Sequence, residues 1–112
     1  MQWILQKMTI DGKEYKLSEK KPFIKFENDG KVSGFASVNR FFGSTKIDNE
    51  GRITWTTPLG STRMAGPPEL MDQEKSFINA LQTADELIVE KIHLYIQTSD
   101  AQTELAFYVP VK

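Results

Sequence analysis

Cysteine is absent from this 112-residue chain, and histidine occurs once, as His93. The first absence excludes disulfides, a thiol nucleophile and cysteine-based zinc sites, without fixing a compartment. The second leaves histidine catalysis dependent on an orienting acid and a nucleophile, and no spacing in the chain supplies them. Charge of one sign is also missing: the net charge is −1. That balance gives no electrostatic footprint for nucleic acid or for an anionic membrane, and nucleic acid is not expected as a partner; a protein or a lipid is left open. Lys20-Lys21, the adjacent basic pair, reads as a solvated loop. The carboxylates are scattered, and Asp48-Asn49-Glu50 lacks calcium-loop spacing and belongs to a turn, so no metal or cofactor is expected. No apolar run approaches the roughly 20 residues of a membrane span. Trp3 and Leu5 already read as strand, with no charged region and apolar run ahead of them, so no secretory signal is legible. The chain is expected to be either cytoplasmic or exported with its signal absent.

What remains is an ordinary globular balance, 39% hydrophobic and 26% charged, which argues for an ordered core. The length suits one domain, residues 1–112. Turn signals separate short β-like runs. Asp11-Gly12 lies between Trp3–Ile10 and Glu14–Leu17, a hairpin signal because both centres tolerate positive φ. Asn28-Asp29-Gly30 parts Phe23–Glu27 from Lys31–Val38, and Asp48–Gly51 parts Ser44–Ile47 from Arg52–Thr57. Ser99–Gln102 parts Ile92–Thr98 from Thr103–Val109. Strands this short predict an antiparallel meander that curls or closes.

Alternation assigns faces. Ile24 and Phe26 oppose Lys25 and Glu27; Val32, Ala36 and Val38 share a face, as do Ile53 and Trp55. Ile92, Leu94 and Ile96 form a stripe matched by Leu105, Phe107 and Val109. His93, Tyr95, Glu104 and Tyr108 fall on the other side and are expected to be solvated. Gly34 within its strand predicts a bulge or a sharp bend. One helix is expected, from Pro68 to about Ala84. Prolines suit its first turn, Glu69 and Asp72 complement the positive end of its dipole, and Leu70, Phe77, Ile78 and Leu81 make a buried stripe.

Two islands carry the polar chemistry. The first is Gly34 to Gly43, where Asn39-Arg40 stands among apolar residues at a strand's finish. The second is Thr62-Arg63-Met64-Ala65-Gly66-Pro67-Pro68, which runs into the helix. Glu74 falls inside the helix's apolar stripe, four residues from both Leu70 and Ile78. A buried carboxylate must be paired, hydrogen-bonded or neutral. As a general acid or base it would need a nucleophile, a second carboxylate or a metal ligand in some motif, and none stands there. The favoured reading is a structural anchor, accepting bonds from the Arg63 region or the Asn39-Arg40 corner. Phe41-Phe42 cannot both point inward from an extended strand. One is therefore covered by a loop, the favoured reading, or available to a partner or apolar ligand. Asn39, Arg40, Phe41, Phe42 and Arg63 are thus the candidate binding residues, with Glu74 as the anchor.

These residues resemble a known family. Trp3-x-Leu5, Gly34 to Asn39-Arg40-Phe41-x-Gly43, Thr62-x-Met64-Ala65, Met71-x-x-Glu74-x-x-Phe77-x-x-x-Leu81, and the closing Leu94-x-Ile96 and Leu105-x-Phe107 look like the META domain of the HslJ type. The resemblance covers nearly the whole chain. It implies an α+β, mainly β fold: a strongly curved antiparallel sheet, or half-barrel, with one packed helix. That fold is similar to the type III secretion pilotin, which has a lipid-accommodating cavity. It also implies a bacterial periplasmic or outer-membrane lipoprotein setting, with a link to heat shock or antibiotic tolerance. Many relatives carry Cys where this chain has Val38 and Gly66, as expected if the pair bridges the two islands; its loss here weakens an exported home and puts disulfide stability in doubt. The function expected is a monomeric, non-enzymatic protein that binds another envelope component. The alternative is a carrier of a lipid or small apolar ligand, in a cavity lined by residues such as Phe41, Trp55 and Met64. An uncharacterised enzyme comes third.

Overall fold

The computed structural model describes residues 2–110. Nine strands and one helix follow in the order β1 (Trp3–Ile10), β2 (Lys13–Tyr15), β3 (Phe23–Phe26), β4 (Lys31–Phe35), β5 (Arg40–Ile47), β6 (Ile53–Ser61), α1 (Pro68–Thr83), β7 (Glu86–Glu90), β8 (His93–Gln97) and β9 (Glu104–Tyr108). All pairings are antiparallel, in the spatial order β6-β5-β4-β3-β1-β9-β8-β7. β9 runs along one edge of β1. β3 and β2 share the other, pairing with its beginning and its end. The two outer strands of this order meet at one corner: Arg52 bridges Glu86, Ile53 N–H donates to the Asp85 carbonyl (2.9 Å), and Leu87 N–H donates to the Gly51 carbonyl (2.7 Å). The sheet is therefore a curled half-barrel: the turn spacing predicts an antiparallel sheet that curls or closes, and the family resemblance implies the half-barrel.

Helix α1 fills the curl. Phe77 sits between Phe41 of β5 and Phe107 of β9, edge-on to both, with ring centroids 5.6 and 6.3 Å away. All these rings are fully buried, together with Leu5, Met8, Ile24, Val32, Leu81, Leu94, Ile96 and Leu105. Burial of one such side chain contributes about 1.5–3 kcal/mol, and each aromatic pair about 0.5–1.5 more. The helix begins as expected, with Pro68 in its first turn and Glu69 beside it; Pro67 stands at the N-cap position and makes no side-chain capping bond. It ends where Ala84 turns extended and accepts a bond from Trp55 Nε1 (3.3 Å).

Several boundaries differ from the sequence reading. The strand from Lys31 stops at Phe35, not Val38. Ala36 N–H donates to the Asn39 carbonyl (2.8 Å), and Ser37 takes φ +119°, a left-handed conformation that ends any strand. Asn39-Arg40 thus stands where β5 starts rather than where β4 finishes. The ladder passes Gly34 without a register shift, and the irregularities lie on β1 and in the β5–β6 pairing. Gly34 is needed for close approach: a Cβ there would lie 2.8 Å from the Phe41 ring and closer still to the Phe23 carbonyl. β6 runs to Ser61 through Pro58, which an outer strand tolerates because no partner needs that N–H. β7 was hidden, because Glu86 to Ile96 contains no glycine or Asn/Asp turn. Lys91 supplies the turn instead at φ +56°, which moves Ile92 out of the stripe and exposes it. His93, Tyr95, Glu104 and Tyr108 are half-buried rather than solvated; His93 and Tyr95 stack on each other, centroids 6.4 Å apart.

Candidate functional site

The start of the helix and the 36–39 turn are locked together by adjacent side chains of α1. Glu74, 7% exposed, turns both carboxylate oxygens to the turn. Oε1 accepts from the backbone N–H of Val38 (3.0 Å) and of Asn39 (2.6 Å), and Oε2 accepts from Asn39 Nδ2 (2.7 Å). Gln73 does the same work one residue earlier. Its Nε2 donates to Ser37 Oγ (2.7 Å) and the Lys20 carbonyl (3.0 Å), while its Oε1 accepts from Ser18 N–H (2.8 Å). Ser37 Oγ in turn donates to the Lys20 carbonyl (3.0 Å). Buried polar groups are costly unless satisfied, and here the Val38 and Asn39 N–H groups, the Asn39 amide and the Ser37 hydroxyl all find partners on the helix.

Asn39 passes the connection to the second island. Its side-chain amide pairs with the backbone of Met64 as a neighbouring strand would: Oδ1 accepts from Met64 N–H (2.6 Å) and Nδ2 donates to the Met64 carbonyl (3.1 Å). Thr62 Oγ1 donates to the same Oδ1 (3.0 Å) and accepts from Arg40 N–H (3.1 Å). Because Met64 N–H can only donate, the orientation of the Asn39 amide is fixed. Val38 packs on Gly66: a Cβ on Gly66 would lie 3.6 Å from that of Val38 and within 3.1 Å of both its methyls. The two islands meet in space.

The candidate residues therefore divide. Glu74 and Asn39 come together, through Asn39 and backbone donors and not through an arginine; the salt bridges among the described residues are Lys7–Glu14 and Lys31–Asp29. Asn39 is buried with its amide fully engaged, and Phe41 is 1% exposed in the core, so both side chains are turned away from solvent. Arg40, Arg63 and Phe42 face outward. Phe42 is 49% exposed and no loop covers it, contrary to the favoured reading of the Phe41-Phe42 pair. Its ring lies across Gly60, whose missing Cβ would come within 3.0 Å of it. Gln73 and Ser37 were missed. The signal for Gln73 was there, since it follows Leu70 by three and precedes Phe77 by four, on the same face as Glu74. Ser37 carried none, because a left-handed serine is unusual.

On the outer face, Phe42 continues into a depression of about 600 Å³ lined by Phe23, Lys25, Phe35, Arg40 and Thr62 among others. Phe23 and Phe35, cross-strand partners, stack with centroids 6.0 Å apart. Arg40 and Lys25 have no carboxylate within salt-bridge distance among the described residues. No group of three or more His, Cys, Asp or Glu gathers to hold a metal ion among the described residues. At the foot of the helix, Tyr15 donates its hydroxyl to Asp72 Oδ2 (2.6 Å). Burial raises its pKa, and the Asp72 carboxylate adds to the rise.

A curled antiparallel sheet plugged by one helix, tied by a helix carboxylate to a strand-connecting turn, defines a small β-rich fold. The chain belongs to the META-domain family, whose model matches residues 1–110. Solved structures share the fold. A protein from Burkholderia xenovorans studied by NMR is 22% identical, with a TM-score of 0.79, covering 99% of this chain and 82% of that one. A second NMR structure is 24% identical, with a TM-score of 0.66, over 96% and 86%. A crystal structure of a DUF4847 family protein from Bacteroides vulgatus is 14% identical, with a TM-score of 0.72, over 99% and 93%. No curated protein matches.

Proposed function

We propose that this chain is a non-enzymatic binding module that holds another protein on the outer face of β3, β4 and β5. The observation that carries the reading is Phe42: an aromatic side chain half in water, beside unpaired cations and a stacked phenylalanine pair. Aromatic and arginine side chains in a partly desolvated hollow are the composition of interface hot spots. Charge complementarity specifies the occupant, a protein segment with an apolar side chain flanked by carboxylates. The family resemblance makes a component of the bacterial envelope the expected source. Against a carrier built around Phe41, Trp55 and Met64 stands their separation: Phe41 packs against Phe77, Trp55 bonds to Ala84 and Met64 is 58% exposed, so these three residues line no common cavity.

A displayed random-peptide library selected on the purified chain tests this reading. Enriched peptides should carry an aromatic or long aliphatic residue next to Asp or Glu. Phe42→Ala and Arg40→Ala should each weaken the best of them by about 2 kcal/mol, the scale of a hot spot. Selected peptides that bind both variants as well as wild type would overturn the reading.

A further inference from the structure

We infer that the open mouth of the half-barrel, at the other end of β4 and β5 from the 36–39 turn, binds a small amphiphile with an apolar body and a cationic head. The site is independent of the outer face and of the interior around Phe41.

Inward-facing side chains from the ends of several strands converge there without a helix to cover them. Trp3 opens β1, Phe26 closes β3, Ile47 closes β5, and Leu87, Val89 and Leu94 come from β7 and β8. Together they wall a cavity of about 370 Å³, near the lower end of the roughly 300–1,000 Å³ typical of small-molecule sites. Val89 is 55% exposed and Ile47 is exposed as well, although both point where the barrel's interior would be. Leaving such walls in water forgoes burial that the same residues gain elsewhere in the sheet. The cavity exists because β7 runs on past its contact with Gly51 and Arg52, beyond the end of β6, so no strand closes over Val89.

The polar rim selects the head. Asn28 and Glu27 stand at the cavity's edge beside Gly30. Thr45 Oγ1 is already spent on the Gly30 carbonyl (3.2 Å). The Glu27 carboxylate has no hydrogen-bond or salt-bridge partner among the described residues, and the nearby Asp29 is matched by Lys31 (3.6 Å). An apolar pocket whose free rim charge is a carboxylate favours an ammonium, tolerates a hydroxyl donor and repels an anion such as a fatty-acid carboxylate.

NMR titration of the ¹⁵N-labelled chain with n-octylammonium chloride, n-octanol and sodium octanoate, each below its micelle concentration, tests this. Octylammonium should give saturable shifts at the Trp3 indole and the amides of Phe26, Ile47, Leu87 and Val89, with Phe42 and Gly60 unmoved. Octanol should bind more weakly, and octanoate weakest. Glu27→Gln should bring octylammonium down about two- to fivefold, toward octanol, the fold-change of an exposed ion pair. Val89→Lys, at a half-exposed position that leaves the fold intact, should abolish octylammonium binding. Octanoate binding as tightly as octylammonium, an unchanged affinity in Glu27→Gln, or shifts spread over the surface without saturation would each overturn the inference.

Discussion

Replacing Glu74 by glutamine keeps the shape of the side chain and changes one atom from acceptor to donor, which makes it the most discriminating perturbation of the helix-to-turn lock. Oε1 can still accept from the Val38 and Asn39 N–H groups. The new Nε2, in the place of Oε2, faces Asn39 Nδ2 at 2.7 Å, donor against donor. Asn39 cannot relieve the clash by flipping, because its Oδ1 already accepts from Met64 N–H and Thr62 Oγ1. Rotating the glutamine merely moves the conflict onto the two backbone donors. One lost bond plus an unsatisfied buried donor costs about 1–3 kcal/mol. Glu74→Ala orphans all three donors at a site 7% exposed. Water can re-solvate part of the space, so the expected loss is about 3–5 kcal/mol, a large share of a domain's total stability.

The rescue distinguishes this hydrogen-bond logic from a mere packing defect. Asn39→Asp alone sets two carboxylates against each other and should be worse than Glu74→Gln. With both substitutions in place, the new aspartate accepts from the new glutamine's amide while still accepting from Met64 N–H; its lost bond to the Met64 carbonyl is common to the Asn39→Asp single and so cancels in the cycle. The double variant should recover about 1–2 kcal/mol relative to the sum of the singles, within the range of direct contacts in double-mutant cycles. Urea unfolding of wild type, both singles and the double reads this as shifts in midpoint at constant slope. An additive double variant, or a Glu74→Ala protein within about 0.5 kcal/mol of wild type, the range of an ordinary surface substitution, would refute the reasoning.

Val38→Cys with Gly66→Cys should oxidise spontaneously, since the Cβ positions are 3.6 Å apart, inside the roughly 3.5–4.5 Å a disulfide needs. Closing a loop of this length should stabilise by about 3–4 kcal/mol, and free thiols persisting under oxidising conditions would show that the islands do not meet as described. Asp48 and Asp100 both have lowered pKa values: Asp48 accepts from the backbone N–H of Arg52 and Glu50, and Asp100 from Thr98 Oγ1 and Gln102 N–H. A lowered folded value means that the stability they add is complete above the ordinary aspartate value of about 3.9 and is lost as pH falls through the folded values. Urea midpoints should therefore drop on acidification below that point, less steeply in an Asp48→Asn/Asp100→Asn variant; an identical acid limb would refute it.

The fold was legible to the extent that turns carried glycine or Asn/Asp and faces alternated. Asp11-Gly12, with φ of +52° and +81°, and the helix with its single stripe announce themselves because local chemistry and tertiary placement agree. β7 was illegible because Lys91 turns the chain with no compositional signal. Residues 36–38 read as strand because Ala-Ser-Val contains neither glycine nor proline, and their turn is imposed from outside by α1.

That last failure explains why the polar pair Gln73-Glu74 matters more than its length in the chain suggests. Ser37 holds φ +119°, a region that costs an L-residue of order 1–3 kcal/mol and persists only where its surroundings enforce it. The enforcement comes from a helix more than thirty residues away in sequence, so no local window could contain it. The same turn sends Phe41 inward to meet Phe77 and leaves Phe42 outward above Gly60. A helix side chain thus fixes the position from which β5 begins its alternation. Slipping that start by one residue would exchange the two phenylalanines, emptying the core where the helix packs and burying the side chain proposed to meet a partner. The lock at Glu74 and the outer aromatic face are in this sense one device, the first setting the register in which the second is displayed.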